Sequence, residues 1–455
     1  MNSLVKSLIV LQFLLVSCSC SNQSTGNIPE EEEQLTDEQL LDKVQKDALK
    51  YFWDYAETNS KLARERYHVE DTNNDANLVT TGGSGFGIMT ILVGIERGFV
   101  PREEAVSRLN TALTFLENAD RFHGAWPHWI NGTNGNVVPF GADDDGGDIV
   151  ETSFLCQGLI CVREYFKNGT PTEQALALKA DELWKGVEWD WYTKGENVMY
   201  WHWSPNFEWI KNFKLEGYNE CLITYIMGAS SPTHAIPSAA YNEGWARNGN
   251  IVSAGTSYGF PKVFNYNGAS GVGPMFWAHY SYLGLDPRGL SDQYANYWTL
   301  TQNHAKIMNA YCIANPVGWI GYSENCWGLT ASYTRNSNGT VGYTDHKPGN
   351  DKGVISPTAA LSSFPYTPTE SMKALRFFYE NADWKDRLIG SAGPYDAFSP
   401  HHDWVTKRYL AIDQGTIVPM IENYRTGFLW NLFMQAPEVQ TGLQNLGFSS
   451  TQHGF

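Results

Sequence analysis

Helical periodicity interrupted by unusually long loops is the feature that most restricts how this chain can fold. Apolar residues recur at helical spacing in many segments, and Pro101, Pro171 and Pro274 stand at or just before segment starts, where a missing N–H is tolerated. The predicted helices are 40–56, 86–97, 102–118, 150–166, 172–187, 220–227, 238–247, 274–283, 291–312, 369–380 and 416–433. The long segments between them are 124–147, 192–218, 249–273 and 317–368.

These long segments are rich in Gly, Asn, Trp and Tyr, and loops of this length inside a compact domain usually build a functional site. Helical hairpins alternating with aromatic loops favour an all-α fold, an α/α toroid with the loops gathered at one end. The pattern also fits an irregular helical bundle. No charge run or Pro/Ser-rich linker divides the chain after residue 36, which predicts a single domain over 36–455.

The first residues have the form of an export signal. Lys6 precedes an apolar run over 8–16 that is too short to span a bilayer. The run ends in LVSC, which resembles a bacterial lipobox and predicts a signal peptide over 1–17 with lipidation of Cys18. The polar, acidic residues 18–35 predict a flexible tether. We expect an exported bacterial lipoprotein in the periplasm or at the outer-membrane surface, with a cleaved soluble signal as the alternative.

Charge and composition limit the partners. The formal net charge is -17 without any Lys/Arg cluster, which opposes binding to nucleic acid. The 17 Trp and 24 Tyr residues provide large amphipathic rings, which suit a core or a sugar-binding surface. We expect a monomer that meets the membrane only through its lipid anchor. The cysteines after Cys20 lack metal-ligand spacing: Cys156, Cys161, Cys221, Cys312 and Cys326.

An acidic stretch, GADDDGGDIVETSF over 141–154, divides at Gly147. Asp143, Asp144 and Asp145 with the following glycines predict a solvated turn, and a structural calcium site is the less favoured alternative. The run lacks the alternating ligands and distal Glu of an EF-hand loop. No other metal or cofactor is expected.

Asp148 and Glu151 stand where an apolar helix begins. Asp148 fits an N-cap and Glu151 the N3 position, an interpretation that requires no catalytic role. Residues three apart on a helix are also about 5–6 Å apart at Cβ, so the two acids could share one pocket. Glu220 follows a turn and begins another predicted helix, where helix-end electrostatics or catalysis would both explain it.

Other motifs carry weaker signals. His128 and the pair His401 and His402 lack the spacing of a metal site. The glycine-rich run 82–87 lacks the Lys of a phosphate loop and is interpreted as a loop entering a helix. No Ser or Cys nucleophile signature occurs. With these motifs set aside, the chemistry that the sequence makes most available is that of carboxylates beside aromatic surfaces.

Motifs spread over most of the chain resemble the glucoamylase-like family of bacterial α/α-barrel proteins that includes the β-1,2-glucanases of glycoside hydrolase family 144. They are also similar, more distantly, to the glucoamylase-like domain of cyclic β-1,2-glucan synthases. The matching motifs are WPHW (126–129), GDIVET (147–152), YNE (218–220), GPMF (273–276), CWGLTAS (326–332), ISPTAA (355–360), GPYDAF (393–398) and DQG (413–415). Each motif alone is weak evidence for this family, but the occurrence of all of them in this order over much of the chain is specific to it.

The resemblance implies a glycosidase on an (α/α)6 barrel that acts on β-1,2-glucan or its oligosaccharides, with catalytic candidates at Asp148, Glu151 and Glu220. A general acid protonates the glycosidic oxygen while a carboxylate activates water on the other face, and carboxyl groups about 6.5–9.5 Å apart favour inversion. We assign Glu220 as the acid and Asp148 as the preferred base, with Glu151 sharing that role or orienting water. Inversion is the expected outcome.

Further residues are expected to contact the sugar through rings or polar groups. They are Trp126, His128, Trp129, Tyr218, Trp327 and Asp413. Two alternatives stay open. A polysaccharide lyase can use an α/α toroid but needs a His or Tyr base and a group that neutralises a uronate. A non-catalytic surface glycan-binding lipoprotein would explain the tether and the aromatics without the acids.

Overall fold

The computed structural model describes residues 34–267 and 271–455. Within it, Asp37–Phe455 form one compact structural unit. The predicted signal peptide over 1–17, the lipidation site Cys18 and nearly all of the tether lie outside the described residues. Export and a lipid anchor therefore stay predictions from the sequence.

Helices dominate the described chain. In chain order they are α1 (Asp37–Trp53), α2 (Thr81–Glu96), α3 (Arg102–Asn118), α4 (Ile149–Phe166), α5 (Pro171–Lys185), α6 (Leu222–Ser230), α7 (Tyr297–Ala314), α8 (Pro357–Leu361), α9 (Pro368–Glu380), α10 (Lys385–Leu388), α11 (Ala411–Arg425), α12 (Phe428–Met434) and α13 (Pro437–Asn445).

The helices divide into an inner and an outer set. In α2, α4, α6 and α11 nearly every residue is buried, whereas α1, α3, α5 and α9 bury one face and expose the other. A helix apolar all round is surrounded by protein, and an amphipathic one lies at the surface. The outer helices alternate with the inner ones along the chain, as an α/α barrel requires.

The inner helices pack in a ring. Helix α2 contacts both α4 and α11, α4 contacts α6, and α8 contacts α11. Two 3₁₀ turns, Met275–Ala278 and Tyr280–Tyr282, fill the place between α6 and α8. The second turn contacts α6, and His279 Nε2 lies 3.0 Å from Ser363 Oγ just after α8. The predicted all-α fold is confirmed, and this ring of inner helices is the arrangement expected of an α/α barrel.

Strands are short, and every paired strand runs antiparallel. They are β1 (Arg66–His68), β2 (Leu78–Thr80), β3 (Trp129–Asn131), β4 (Val137–Val138), β5 (Gly147–Asp148), β6 (His202–Trp203), β7 (Thr256–Ser257), β8 (Phe260–Pro261), β9 (Leu290–Ser291), β10 (Ala331–Arg335), β11 (Val341–Asp345), β12 (Ile389–Gly390), β13 (Gly393–Pro394), β14 (Phe398–Ser399), β15 (Trp404–Val405), β16 (Arg408–Leu410) and β17 (Ser449–Ser450).

Strands pair β1 with β16, β5 with β6, β10 with β11, β12 with β13, β14 with β15, β7 with β8 and β9 with β17, and β2, β3 and β4 form one sheet. Of these strands, β3, β4, β6, β7, β8, β10 and β11 lie in the long segments between helices. Within the described ranges, none of the helices combines the length and apolar character needed to cross a membrane.

The expectation for the glycine-rich run 82–87 is wrong, because this run lies inside α2. The reason is close packing of inner helices. A methyl group on Gly85 would lie 2.5 Å from the Phe154 carbonyl oxygen, and one on Gly158 would lie 2.6 Å from the Gly85 oxygen. These glycines let the backbones of α2 and α4 touch, a role that loop composition rules do not register.

The long C-terminal helix predicted over 416–433 is two helices, α11 and α12. Gly427 precedes α12 with φ 72°, a left-handed conformation that glycine adopts without strain. The segment predicted as a helix over 238–247 contains a π-helical turn, Ala240–Trp245.

We predict that Gly85→Ala lowers the free energy of unfolding by about 1–3 kcal/mol, because the added methyl group forces α2 and α4 apart. Denaturant unfolding followed by circular dichroism measures the change. Gly141→Ala is the matched control, since a methyl group there meets no atom within 4 Å. Equal stability of the two variants would contradict close helix packing at Gly85.

Candidate active site

The long loops surround one cavity of about 690 Å³. Four carboxylates lie in its lining: Glu65, Asp148, Glu151 and Glu220. Its aromatic walls include Trp129, Phe140, Trp201, Phe213, Trp277 and Tyr343. A concave site with convergent acids and aromatic surfaces fits a carbohydrate ligand.

Asp148 is a fully buried carboxylate with its acceptor positions occupied. Its Oδ1 caps α4 by accepting the N–H groups of Val150 and Glu151, each at 2.9 Å. Its Oδ2 accepts from His128 Nδ1 and Trp201 Nε1, each at 2.7 Å. Asp148 therefore joins a helix start to two side chains of the cavity wall, and it holds them in place.

His128 is held as a cation beside these acids. Its ring stacks on Phe140 with centroids 3.9 Å apart. Burial opposes its charge, but Glu151 and Asp148 outweigh burial and raise the pKa of His128 to about 9. An imidazolium therefore faces the cavity at neutral pH.

Glu151 lies on the first turn of α4 and lines the cavity. Its Oε2 accepts the Gly82 N–H at 2.7 Å and lies 3.4 Å from Thr80 Oγ1. A methyl group on residue 82 would lie 2.5 Å from that oxygen, so glycine is required for the contact. Burial raises the pKa of Glu151 above its ordinary value, against the lowering effect of His128.

Glu220 is partly exposed in the turn before α6 and enters the cavity from a different segment of the chain. Ser281 Oγ donates to its carbonyl oxygen, and Asn219 Oδ1 accepts from the Cys221 N–H at 2.9 Å, which fixes the turn. The surrounding protein removes most water from the Glu220 carboxyl group, and this desolvation raises its pKa to about 7, with a contribution from the charges of Glu151 and Asp148. The carboxyl group is substantially protonated at neutral pH.

Of the residues expected to contact sugar, some line the cavity and others are buried in the core. His128 and Trp129 line the cavity, and their role as sugar contacts stays a prediction. Trp126 and Trp327 are buried, with indole N–H groups bonded to the carbonyls of Leu116 and Glu370. Their placement gives no support for direct contact with sugar.

Tyr218 is also buried, and its hydroxyl donates to His304 Nδ1 at 3.1 Å. The donor is assigned because His304 Nε2 lies 2.8 Å from the Gly273 carbonyl, to which it must donate. Tyr218 is therefore a core residue outside the cavity lining, and its placement gives no support for direct sugar contact.

Asp413 lies behind the wall in a carboxyl pair. The Tyr280 hydroxyl lies 3.4 Å from Asp413 Oδ1. Burial raises the pKa of Asp396 to about 6, and burial together with Asp396 raises that of Asp413 well above its ordinary value. Because two buried carboxylates repel, this pair holds a proton. Asp413 therefore acts on the wall through Tyr280 in this structure.

Several cavity residues were not found from the sequence. Trp201 and Phe213 belong to an aromatic loop, and the composition of a loop does not show which of its rings line a cavity. Tyr333 and Tyr343 face each other in the hairpin of β10 and β11, and both line the cavity. Glu65 and Arg66 gave no signal at all, because an adjacent Glu and Arg at a strand start is an ordinary surface pattern.

The acidic turn before Asp148 has two environments. Asp143 is exposed, whereas Asp145 is half-buried and accepts hydrogen bonds from Ser204 and Asn206. Asp144 is buried, with Oδ1 3.0 Å from His202 Nε2. Among the described residues, no group of three or more His, Cys, Asp or Glu side chains is arranged to hold a metal ion. Calcium at this turn stays an untested alternative.

Comparison with known proteins agrees with the motifs. The family model Glycoamylase, a glucoamylase family, matches residues 212–437. An exo β-1,2-glucooligosaccharide sophorohydrolase (non-reducing end) of Parabacteroides distasonis is 45% identical over 435 residues, covering 90% of this chain and 58% of the relative. The chain thus spans less than two thirds of the length of that relative.

Two solved structures are similar over most of this chain. The endo-β-1,2-glucanase of Chitinophaga pinensis, in a complex with sophorotriose and glucose, is 53% identical with a TM-score of 0.88, covering 92% of this chain and 99% of its own. The β-1,2-glucanase of Parabacteroides distasonis is 44% identical with a TM-score of 0.84, covering 91% and 60%. Such identity across nearly the whole of a solved relative shows that the chain belongs to the glucoamylase-like glycoside hydrolases of family 144.

Proposed function

We propose that this protein hydrolyses β-1,2-glucan or its oligosaccharides by acid and base catalysis. The observation that carries the proposal is the pairing of Glu220, whose pKa is raised to about 7, with Glu151 in one aromatic cavity. The relatives named above are hydrolases of β-1,2-linked glucans. Their activity favours hydrolysis over the lyase and glycan-binding alternatives.

Glu220 is the proposed general acid. Its protonated carboxyl group donates to the glycosidic oxygen as the bond from that oxygen to the anomeric carbon breaks, and the leaving sugar departs as a neutral alcohol. A carboxyl group whose pKa lies near the working pH serves this role best, because it is both protonated and able to give up its proton.

Glu151 is the proposed general base, in place of Asp148, which the sequence favoured. The hydrogen bonds that Asp148 accepts occupy both of its oxygens, which leaves it little capacity to take a proton from water. Glu151 lines the same cavity, and the neighbouring His128 cation favours its ionised form. Glu151 accepts a proton from the water that attacks the anomeric carbon, and Asp148 acts as a positioning residue.

The aromatic residues of the cavity lining bind the sugar beside the acids. Trp129 and Phe140 lie on one side with His128, and their rings contact edge to face at 5.0 Å. Trp277 and Tyr343 are supplied by other loops. Flat rings match the C–H faces of glucose, while the acids and His128 supply groups for its hydroxyls.

We predict that Glu220→Gln lowers kcat on β-1,2-glucan by about 10²–10⁴-fold, because an amide cannot donate the required proton. Release of reducing ends measures the rate. Glu216→Gln is the matched control, since Glu216 lies nearby but outside the cavity lining. A folded Glu220→Gln enzyme with wild-type activity would refute the assignment.

The pH dependence of kcat/KM should also reflect the protonation of Glu220. Since the acid must be protonated, kcat/KM falls as pH rises through about 7, the pKa of Glu220. Initial rates on a short β-1,2-linked oligosaccharide across the pH range measure this limb. A rate constant that is flat from about pH 6 to 9 would contradict Glu220 as the acid.

We predict that Glu151→Gln also lowers kcat by about 10²–10⁴-fold, because the amide cannot accept a proton from water. Near-normal activity of Glu151→Gln would place the base on another residue.

In the wild-type enzyme, proton NMR of fresh product should show the α anomer first, as inversion of a β linkage requires. The β anomer as first product would indicate retention.

A further inference from the structure

Glu65 and Arg66 form a charged pair in the cavity wall that the mechanism above does not use. Both residues and the neighbouring Trp129 line the cavity. The Glu65 side chain is 16% exposed and that of Arg66 is 27% exposed, so both are largely desolvated yet open to a ligand. Charged side chains in such a position usually have a function or a strong structural partner.

The pair is rigidly placed. The Glu65 N–H donates to the Leu78 carbonyl at 2.8 Å, and the Glu65 carbonyl accepts from the Ala411 N–H at 3.0 Å. Strand β1 then pairs Arg66 with Leu410 of β16. The backbone that carries the two charges is thus fixed on both sides.

The Arg66 guanidinium is fixed as well. Its Nε donates to Glu65 Oε2 and lies 3.7 Å from Asp75 Oδ2, while its centre lies 5.5 Å from the Trp129 ring centroid. Among the described residues, Glu65 Oε1 and the two terminal nitrogens of Arg66 make no hydrogen bond with protein. A carboxylate oxygen and guanidinium N–H donors on two paired residues of the cavity lining are therefore available to a ligand.

We propose that Glu65 and Arg66 recognise the vicinal 3- and 4-hydroxyl groups of a glucosyl unit, and so help to select the β-1,2 linkage. The carboxylate accepts a hydrogen bond from one hydroxyl, and the guanidinium donates to the oxygen of its neighbour. The spacing of adjacent equatorial hydroxyls matches such a donor and acceptor pair. This inference rests on the proposed function and deepens it.

The free hydroxyl groups of each glucan explain why Glu65 and Arg66 would discriminate between β-1,2 and other linkages. In a β-1,2-linked chain every internal glucose keeps both its 3- and 4-hydroxyl groups free. An internal residue of a β-1,3 chain has lost the 3-hydroxyl as a donor, and one of a β-1,4 chain has lost the 4-hydroxyl. A site that hydrogen-bonds a ligand hydroxyl rejects analogues without it, because its own polar groups are left unpaired.

The test compares binding and turnover in Glu65→Gln and Arg66→Met. On β-1,2-linked glucopentaose we expect KM to rise about 10- to 100-fold with kcat changed by less than about threefold, since the pair binds sugar and does no chemistry. In a Glu220→Gln background, calorimetry gives the dissociation constants of the β-1,2- and β-1,4-linked pentaoses. We expect the preference for the β-1,2 chain to fall at least about tenfold in both variants.

Arg408→Met is the matched control. Arg408 lies on the strand beside Arg66, pairs with Glu70 at 2.7 Å and stands 5.5 Å from the Tyr333 ring centroid, but it is outside the cavity lining. It should leave KM and the preference unchanged. Thermal melting of all three variants separates loss of fold from loss of recognition.

An unchanged linkage preference in folded Glu65→Gln and Arg66→Met would overturn the inference, as would an equal loss of affinity for both pentaoses. A wild-type enzyme that fails to cleave β-1,2-glucan would instead overturn the proposed function. The two failures are distinguishable because the first is measured by binding ratios and the second by wild-type turnover.

Discussion

The hydrogen bonds accepted by Asp148 are the interaction on which the rest of the site depends. One carboxylate begins an inner helix and also fixes His128 and Trp201 in the wall. A buried carboxylate is costly unless donors surround it, and here helix N–H groups and two side chains supply them. The orientation of the wall therefore follows directly from the start of α4.

Electrostatics then assign different properties to neighbouring acids. Asp148 is surrounded by donors, Glu151 is influenced by the His128 cation and the Gly82 N–H, and Glu220 has burial as its dominant influence. The same side-chain type can thus act as a scaffold, a base or an acid within one cavity. The surroundings of each acid, rather than its residue type, determine its role.

Features that depend on local pattern are predictable from the sequence. The helical fold and the start of α4 leave signals within a few residues, and Asp148, Glu151 and Glu220, singled out near helix starts, line one cavity. Their catalytic roles stay proposals. Features that depend on tertiary packing were not predictable. Trp126 and Trp129 have the same local context, yet one is core and the other lines the cavity. Glu65 and Arg66 line the same cavity as the acids only because segments distant in sequence pack together.

The glycines of α2 have a consequence for engineering this protein. Replacing helical glycine by alanine is a common way to make an enzyme more heat-resistant, because it restricts the unfolded chain. In this barrel the method is blocked at Gly82 and Gly85, where the missing side chain is what lets a backbone N–H reach Glu151 and lets α2 touch α4. Thermostable variants must instead be sought on the outer helices, whose exposed faces can change without disturbing the acids.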